Sequence, residues 1–129
     1  MNERTSVLDA SSVLALAHRE SGAATVADHL EGSAISTVNW SEVVRRSLQR
    51  DVHMDAVRAT LADADVVLVP FDVADAEAAA ELWRRTRHRG LSLADRACIA
   101  LAARLGVPAV TADRAWTDLD VGVEIVSIR

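Results

Sequence analysis

Five short runs of β-branched and apolar residues punctuate this chain, with helical patterns between them, and that alternation limits its fold more than any other feature. The runs are Ser6–Leu8, Ala34–Thr37, Val66–Val69, Ala109–Thr111 and Ile125–Ile128. Segments near 12–20, 23–31, 39–50, 54–63, 73–89 and 92–105 carry helical patterns, as in Met54, Val57, Leu61 or Trp40, Val43, Val44, Leu48. Leu105-Gly106-Val107-Pro108 stops the last helix and leads into a strand. Strands alternating with helices predict βαβ units and a mainly parallel sheet covered on both faces. The 129 residues fit one domain, 1–129, with no repeat and no linker.

In open parallel sheets, ligands bind beyond the carboxyl ends of the strands. Asp9 ends the first run, in SVLDASSVL, and Asp113 follows the fourth, in AVTADRAW. A buried charge there is costly unless something pairs with it. Each acid also has a plain structural role available, as an Asx-turn or a helix cap. Two more acids open helices. Glu42 lies three residues after Asn39 in NWSEVVRR, and Asp95 lies three after Ser92 in SLADRACIALAARLG. Both spacings suggest capping boxes, with Asp standing in for Glu in the second. Carboxylates in a first helical turn gain about 0.3–1 kcal/mol from the helix dipole, so structure alone accounts for either. Glu42 is expected to face away from the Trp40, Val43, Val44 stripe, alongside Arg45, Arg46 and Gln49. Helices that follow parallel strands start where those strands end, so all four acids can point into one cleft.

Composition removes several alternatives. The net charge of −5 argues against a protein that coats nucleic acid electrostatically. All 14 basic residues are arginine, so phosphoryl transfer that needs a lysine is excluded. The five glycines form no phosphate-cradling loop. With no tyrosine and one phenylalanine, a base-stacking platform is not expected. The longest apolar run, Ala97–Ala103, is too short to span a membrane, and a cytoplasmic location is expected. Cys98, alone in that run, fits a small buried hydrophobe. His18, His29, His53 and His88 share no spacing and suggest ordinary surface roles. The segment RRTRHRG, with Arg84, Arg85, Arg87 and Arg89, is either a basic rim for phosphates or a solvated helix end.

Taken in order, VLDASSVLAL at 7–16, ISTVNWSEVVRR at 35–46, LSLADRACIALAARLG at 91–106 and VTADRAW at 110–116 resemble the PIN-domain ribonucleases. The likeness is to the VapC-like toxins of bacterial type II toxin–antitoxin pairs in particular, and it runs the full length. It implies a three-layer α/β/α fold with a five-stranded, mainly parallel central sheet. It implies an acidic metal site on Asp9, Glu42, Asp95 and Asp113, with Asp9 and Asp95 the surest ligands, and dependence on Mg²⁺ or Mn²⁺. Ser11 matches a small hydroxyl residue two places after the first acid, and Asn39 and Thr111 match polar positions near the site. Substrate contacts are expected from Ser11, Asn39, Thr111, Arg84 and Arg85. The expected partners are an RNA substrate, a cognate antitoxin that blocks the cleft, and a second copy of the chain. Met54, Val57 and Leu61, with Val73, Ala76 and Trp83, are either core or a groove for the antitoxin's helix. Asp118 and Asp120 have no assigned place. The competing expectation is a non-catalytic protein-binding module of the same fold whose acids are only caps.

Overall fold

A computed structural model describes residues 3–129. The central strand, β1 (Val7–Leu8), is only two residues long. It pairs in parallel with β2 (Ala34–Ser36) on one side and β4 (Ala109–Thr111) on the other. β3 (Val67–Val69) and β5 (Ile125–Ser127) complete a five-stranded sheet of order β3-β2-β1-β4-β5. Every pairing is parallel, as the alternation of strands and helices requires.

Side chains alternate across a strand, so neighbouring residues feed opposite faces. Leu8, Ile35 and Val110 join one core with Val13, Leu14, Val26 and Val43. Their neighbours Val7, Ala34 and Ala109 join the other, with Cys98, Ile99, Leu101 and Trp116. The first core is roofed by α1 (Ala10–Ala17), α2 (Ala23–Leu30), α3 (Thr37–Gln49) and α4 (Met54–Asp63). The second lies under α6 (Leu93–Leu105), against which α5 (Val73–Thr86) packs as an outer helix. Three layers result. The N-terminal end of α5 is tied down by buried Asp75, which closes a capping box with Asp72 and accepts from Arg104 Nε at 3.0 Å.

Two strand-to-helix junctions have no loop. β1 passes straight into α1 through Asp9, which is the N-cap and accepts from Ser12 N at 2.9 Å. β2 passes straight into α3 through Ser36, which accepts from Val38 N. This corrects the expected cap at Asn39: it lies inside the first turn of α3, 1% exposed, and forms no capping box with Glu42. The box expected at Ser92 and Asp95 is present in both directions, at 2.9 and 3.1 Å. The six apolar positions on α4 and α5 do not form one surface. Val57 and Leu61 are core, whereas Val73 and Trp83 are exposed on the other layer.

Gly22 closes the first layer. It precedes α2 with φ +93°, and a Cβ there would stand 2.6 Å from the carbonyl oxygen of Ile128. Both the backbone angle and the approach of the last strand demand glycine. Gly22→Ala should therefore cost about 1–3 kcal/mol. The measurement is urea unfolding, with a lower midpoint at unchanged slope.

Candidate active site

The register of β1 against β4 sets the site. Leu8 pairs with Val110, and Asp9 N donates to Val110 O at 3.1 Å, so Asp9 and Thr111 emerge side by side at the carboxyl edge. Thr111 Oγ1 donates to Asp9 Oδ2 at 2.6 Å. Ser11 Oγ lies 2.7 Å from Asp9 Oδ1 and 2.9 Å from Oδ2, and gives its one proton to either. The direction of both hydroxyls is fixed from behind. Ala112 N donates to Ser11 Oγ and Asp113 N donates to Thr111 Oγ1, each at 3.0 Å. A hydroxyl has a single proton, so one that already accepts a backbone N–H turns that proton to the carboxylate.

Asp9 is 5% exposed. Burial raises its carboxyl above the ordinary aspartate range, opposed by the hydrogen bonds from Thr111, Ser11 and Ser12. Among the described residues no arginine or histidine forms an ion pair with it. The structure thus keeps a desolvated carboxylate supplied with donors and without a counter-cation.

Asp95 comes from the first turn of α6. Its Oδ2 accepts from Ser92 N, and the carboxylate is half-buried. The Cys98 thiol, one turn further on, reports both acids. Burial pushes it well above the ordinary thiol range, and the charges of Asp9 and Asp95 push it further. Beside Asp95, Asn39 Nδ2 donates to Ala94 O at 3.1 Å, and Asn39 Oδ1 is buried without a partner. Asn39, expected as a cap, is thus an amide facing α6 with one free acceptor.

Of the other expected residues, Asp113 joins this cluster through its backbone N–H, which donates to Thr111 Oγ1, and Arg84 and Arg85 lie on α5. Glu42 is half-buried one turn beyond Asn39, beside the buried line of Asn39, Val43 and Ser47 and not on the far face. Among the described residues it has no side-chain partner. Asp113 is exposed, and its Oδ1 caps the short helix Arg114–Trp116 by accepting from Ala115 N at 2.9 Å. Arg84 pairs with Glu81 at 2.8 Å, and Arg85 is exposed beside the recess between α5 and α6. Arg87 stacks on Trp83, and Arg89 holds Asp118 and the carbonyl of Ala115. Asp118, which periodicity left without a role, is therefore a latch for the turn after α5.

Every candidate donor here is oxygen, which suits a hard divalent cation. An uncompensated buried carboxylate and an orphaned amide oxygen fit such an ion with part of its water shell. Among the described residues, no three His, Cys, Asp or Glu side chains are gathered into a ready cage.

The raised carboxyl of Asp9 gives a signed prediction for the protein in EDTA. A carboxyl raised in the folded state binds its proton more tightly there than in the unfolded chain. It stabilises the fold below the ordinary aspartate range and loses that contribution as pH climbs through its raised value. Wild type should thus gain stability relative to Asp9→Asn as pH is lowered from 7. Urea unfolding of both proteins across pH checks the sign.

A family profile described as PIN domain matches residues 6–122. No curated relative matches the chain by sequence. Among solved structures, a toxin–antitoxin complex from Klebsiella pneumoniae contains a chain with TM-score 0.77 at 16% identity, covering 97% of this chain and 98% of that one. DNA-bound VapBC from Salmonella typhimurium gives 0.72 at 13%, covering 98% and 99%. VapBC-5 from Mycobacterium tuberculosis, a member of the VapBC family of toxin–antitoxin systems, gives 0.62 at 26%, covering 95% and 98%. The profile match takes in β1 through the turn after β4, with Asp9, Asn39, Asp95 and Thr111 inside it, and the chain belongs to the PIN domain family.

Proposed function

We propose that this protein is a Mg²⁺- or Mn²⁺-dependent endoribonuclease and the toxin of a toxin–antitoxin pair. The observation that carries the reading is Asp9, a carboxylate buried at the carboxyl edge of the sheet, fed by two hydroxyls and lacking a counter-cation. Membership of the PIN domain family and the likeness to VapBC structures support it.

Asp9 and Asp95 would hold the ion, with Asp113 and Glu42 reaching it directly or through water. When bound, such an ion supplies an activated water and charge stabilisation at a scissile phosphate. The chain's own residues prepare that position. Ser11 and Thr111 hold Asp9 in one orientation and, by donating to it, favour its ionised form. Asn39 ties α3 to the first turn of α6 and offers its free, buried oxygen as an acceptor for an ordered water. Ser92 fixes the Asp95 rotamer. Hydrolysis is expected to leave a 5′-phosphate and a 3′-hydroxyl.

Silencing a toxin requires a partner. The recess between α1 and α4, lined by Val13, Leu16, Ala17, Val57 and Leu61, offers apolar surface for an antitoxin helix. An arginine on the same partner would meet the acidic edge. Leu48, Leu68, Val73 and Trp83 leave further apolar surface exposed for a second copy of the chain. The expected setting is the cytoplasm, and among the described residues no helix is long and apolar enough to cross a membrane.

One observation favours the competing reading. Asp9 and Asp113 cap helices and Asp95 closes the capping box at Ser92, so a non-catalytic binding module could need them for that alone. Two measurements separate the readings. Purified protein should cut RNA with Mg²⁺ or Mn²⁺ and stop in EDTA, and Asp9→Asn should lose cleavage with an unchanged circular dichroism spectrum. Metal should raise the melting temperature of wild type and not of Asp9→Asn, because the ion binds the folded state alone. Equal metal shifts in both proteins, or undiminished cleavage in EDTA, would overturn the metal site.

A further inference from the structure

We propose that a recess between the C-terminal halves of α1 and α3 holds a phosphate of the RNA, on the strand flanking the bond that is cut. The inference rests on the ribonuclease reading and adds a binding subsite to it. The recess is lined by Leu14, His18, Glu20, Arg46, Gln49 and Arg50. Apart from Leu14, every lining side chain carries a polar head, unlike the apolar recess between α1 and α4.

The placement follows from α3. Glu42, Arg46 and Arg50 are spaced four apart and lie along one ridge of the helix. At 1.5 Å per residue, Arg46 is about 6 Å and Arg50 about 12 Å beyond Glu42 along the axis. The ridge starts at the acidic edge and leads away from it toward positive charge. A strand whose scissile phosphate sits at Asp9 and Asp95 meets these guanidinium groups as it leaves. The chain as a whole is acidic, so a polyanion needs such a local exception.

The two arginines have different settings. Arg50 is held in place: its Nη1 lies 2.8 Å from His18 Nδ1 and 3.9 Å from Glu20 Oε2. Its Nη2 and Nε have no partner among the described residues. Arg46 is exposed and has no acidic partner among the described residues, although Glu42 is one turn away. Gln49 is likewise free to donate. Opposing them is one carboxylate, Glu20, so the fixed charge of the recess stays positive. Arginine can only donate, so His18 accepts at Nδ1 and carries its proton on Nε2, which is buried with no acceptor. The recess therefore has more donors than acceptors, which is the chemistry of a phosphate site and not of a cation site.

The test uses a fluorescein-labelled, mixed-sequence single-stranded RNA dodecamer in EDTA, with binding followed by fluorescence anisotropy across salt. For single strands each lost phosphate contact lowers the salt slope by about 0.7. Arg46→Gln and Arg50→Gln should each reduce the slope by about that amount and weaken binding about fivefold near 0.1 M salt. Arg58→Gln, on the exposed face of α4, should change neither. A second arm titrates inorganic phosphate and reads the histidine ring resonances by NMR. The His18 signals should move in wild type and stay still in Arg46→Gln, with His29, His53 and His88 unaffected. If both arginine variants bind RNA like wild type, or if His18 responds no more than the other histidines, the subsite is wrong while the ribonuclease reading stands. If wild type neither binds nor cuts RNA, the ribonuclease reading fails and the subsite with it.

Discussion

Two hydroxyls, Ser11 and Thr111, point their protons at one buried carboxylate because backbone N–H groups occupy them from behind. Much of the carboxyl edge follows from that arrangement. It joins the end of β1, the first turn of α1 and the end of β4 through a single side chain. Asp9 is at once the turn between strand and helix, the cap of the helix, and the acceptor for the neighbouring strand. A residue with three structural duties can be replaced only by one of the same shape that still caps the helix, such as Asn.

The cap and the ligand are not competing descriptions of these acids. A helix N-terminus that follows a parallel strand opens at the carboxyl edge of the sheet, and its dipole favours a carboxylate there. Caps are therefore delivered to the place where ligands bind in this class of fold. Asp95 illustrates the economy: Ser92 and Asp95 satisfy one another's backbone, and that exchange fixes the carboxylate at the first turn of α6. What distinguishes Asp9 from an ordinary cap is desolvation without a paired cation.

The sheet and its helices were legible because two periods, one for strands and one for helices, alternate cleanly, and boundaries differ from the pattern by three residues at most. The exceptions have physical reasons. Thr37 is β-branched and suits a strand, yet it begins α3 because Ser36 caps the helix directly from β2. That displaced the expected cap at Asn39 and turned Glu42 from the far face to the flank of the buried line. The Ser92–Asp95 box was legible because it is local. The Thr111–Asp9 bond was not, since it depends on strand register between segments 102 residues apart. The RRTRHRG segment divides for the same reason: Arg84 finds Glu81 on its own helix, while the partner of Arg89 lies beyond the next strand.

β1 contributes two residues to the sheet, and nearly all that fixes them arrives from distant sequence. Its neighbour β4 and the hydroxyl that completes Asp9 lie at the far end of the chain, and Gly22 waits for Ile128 to close against it. Contacts of such long separation make folding slow and late, since loop entropy must be overcome before they form. On a ribosome, the helices of the first layer can emerge while the acidic edge is still open on one side. Assembly of the edge then coincides with completion of the sheet, so a half-made chain carries its acids without the geometry that gives them meaning.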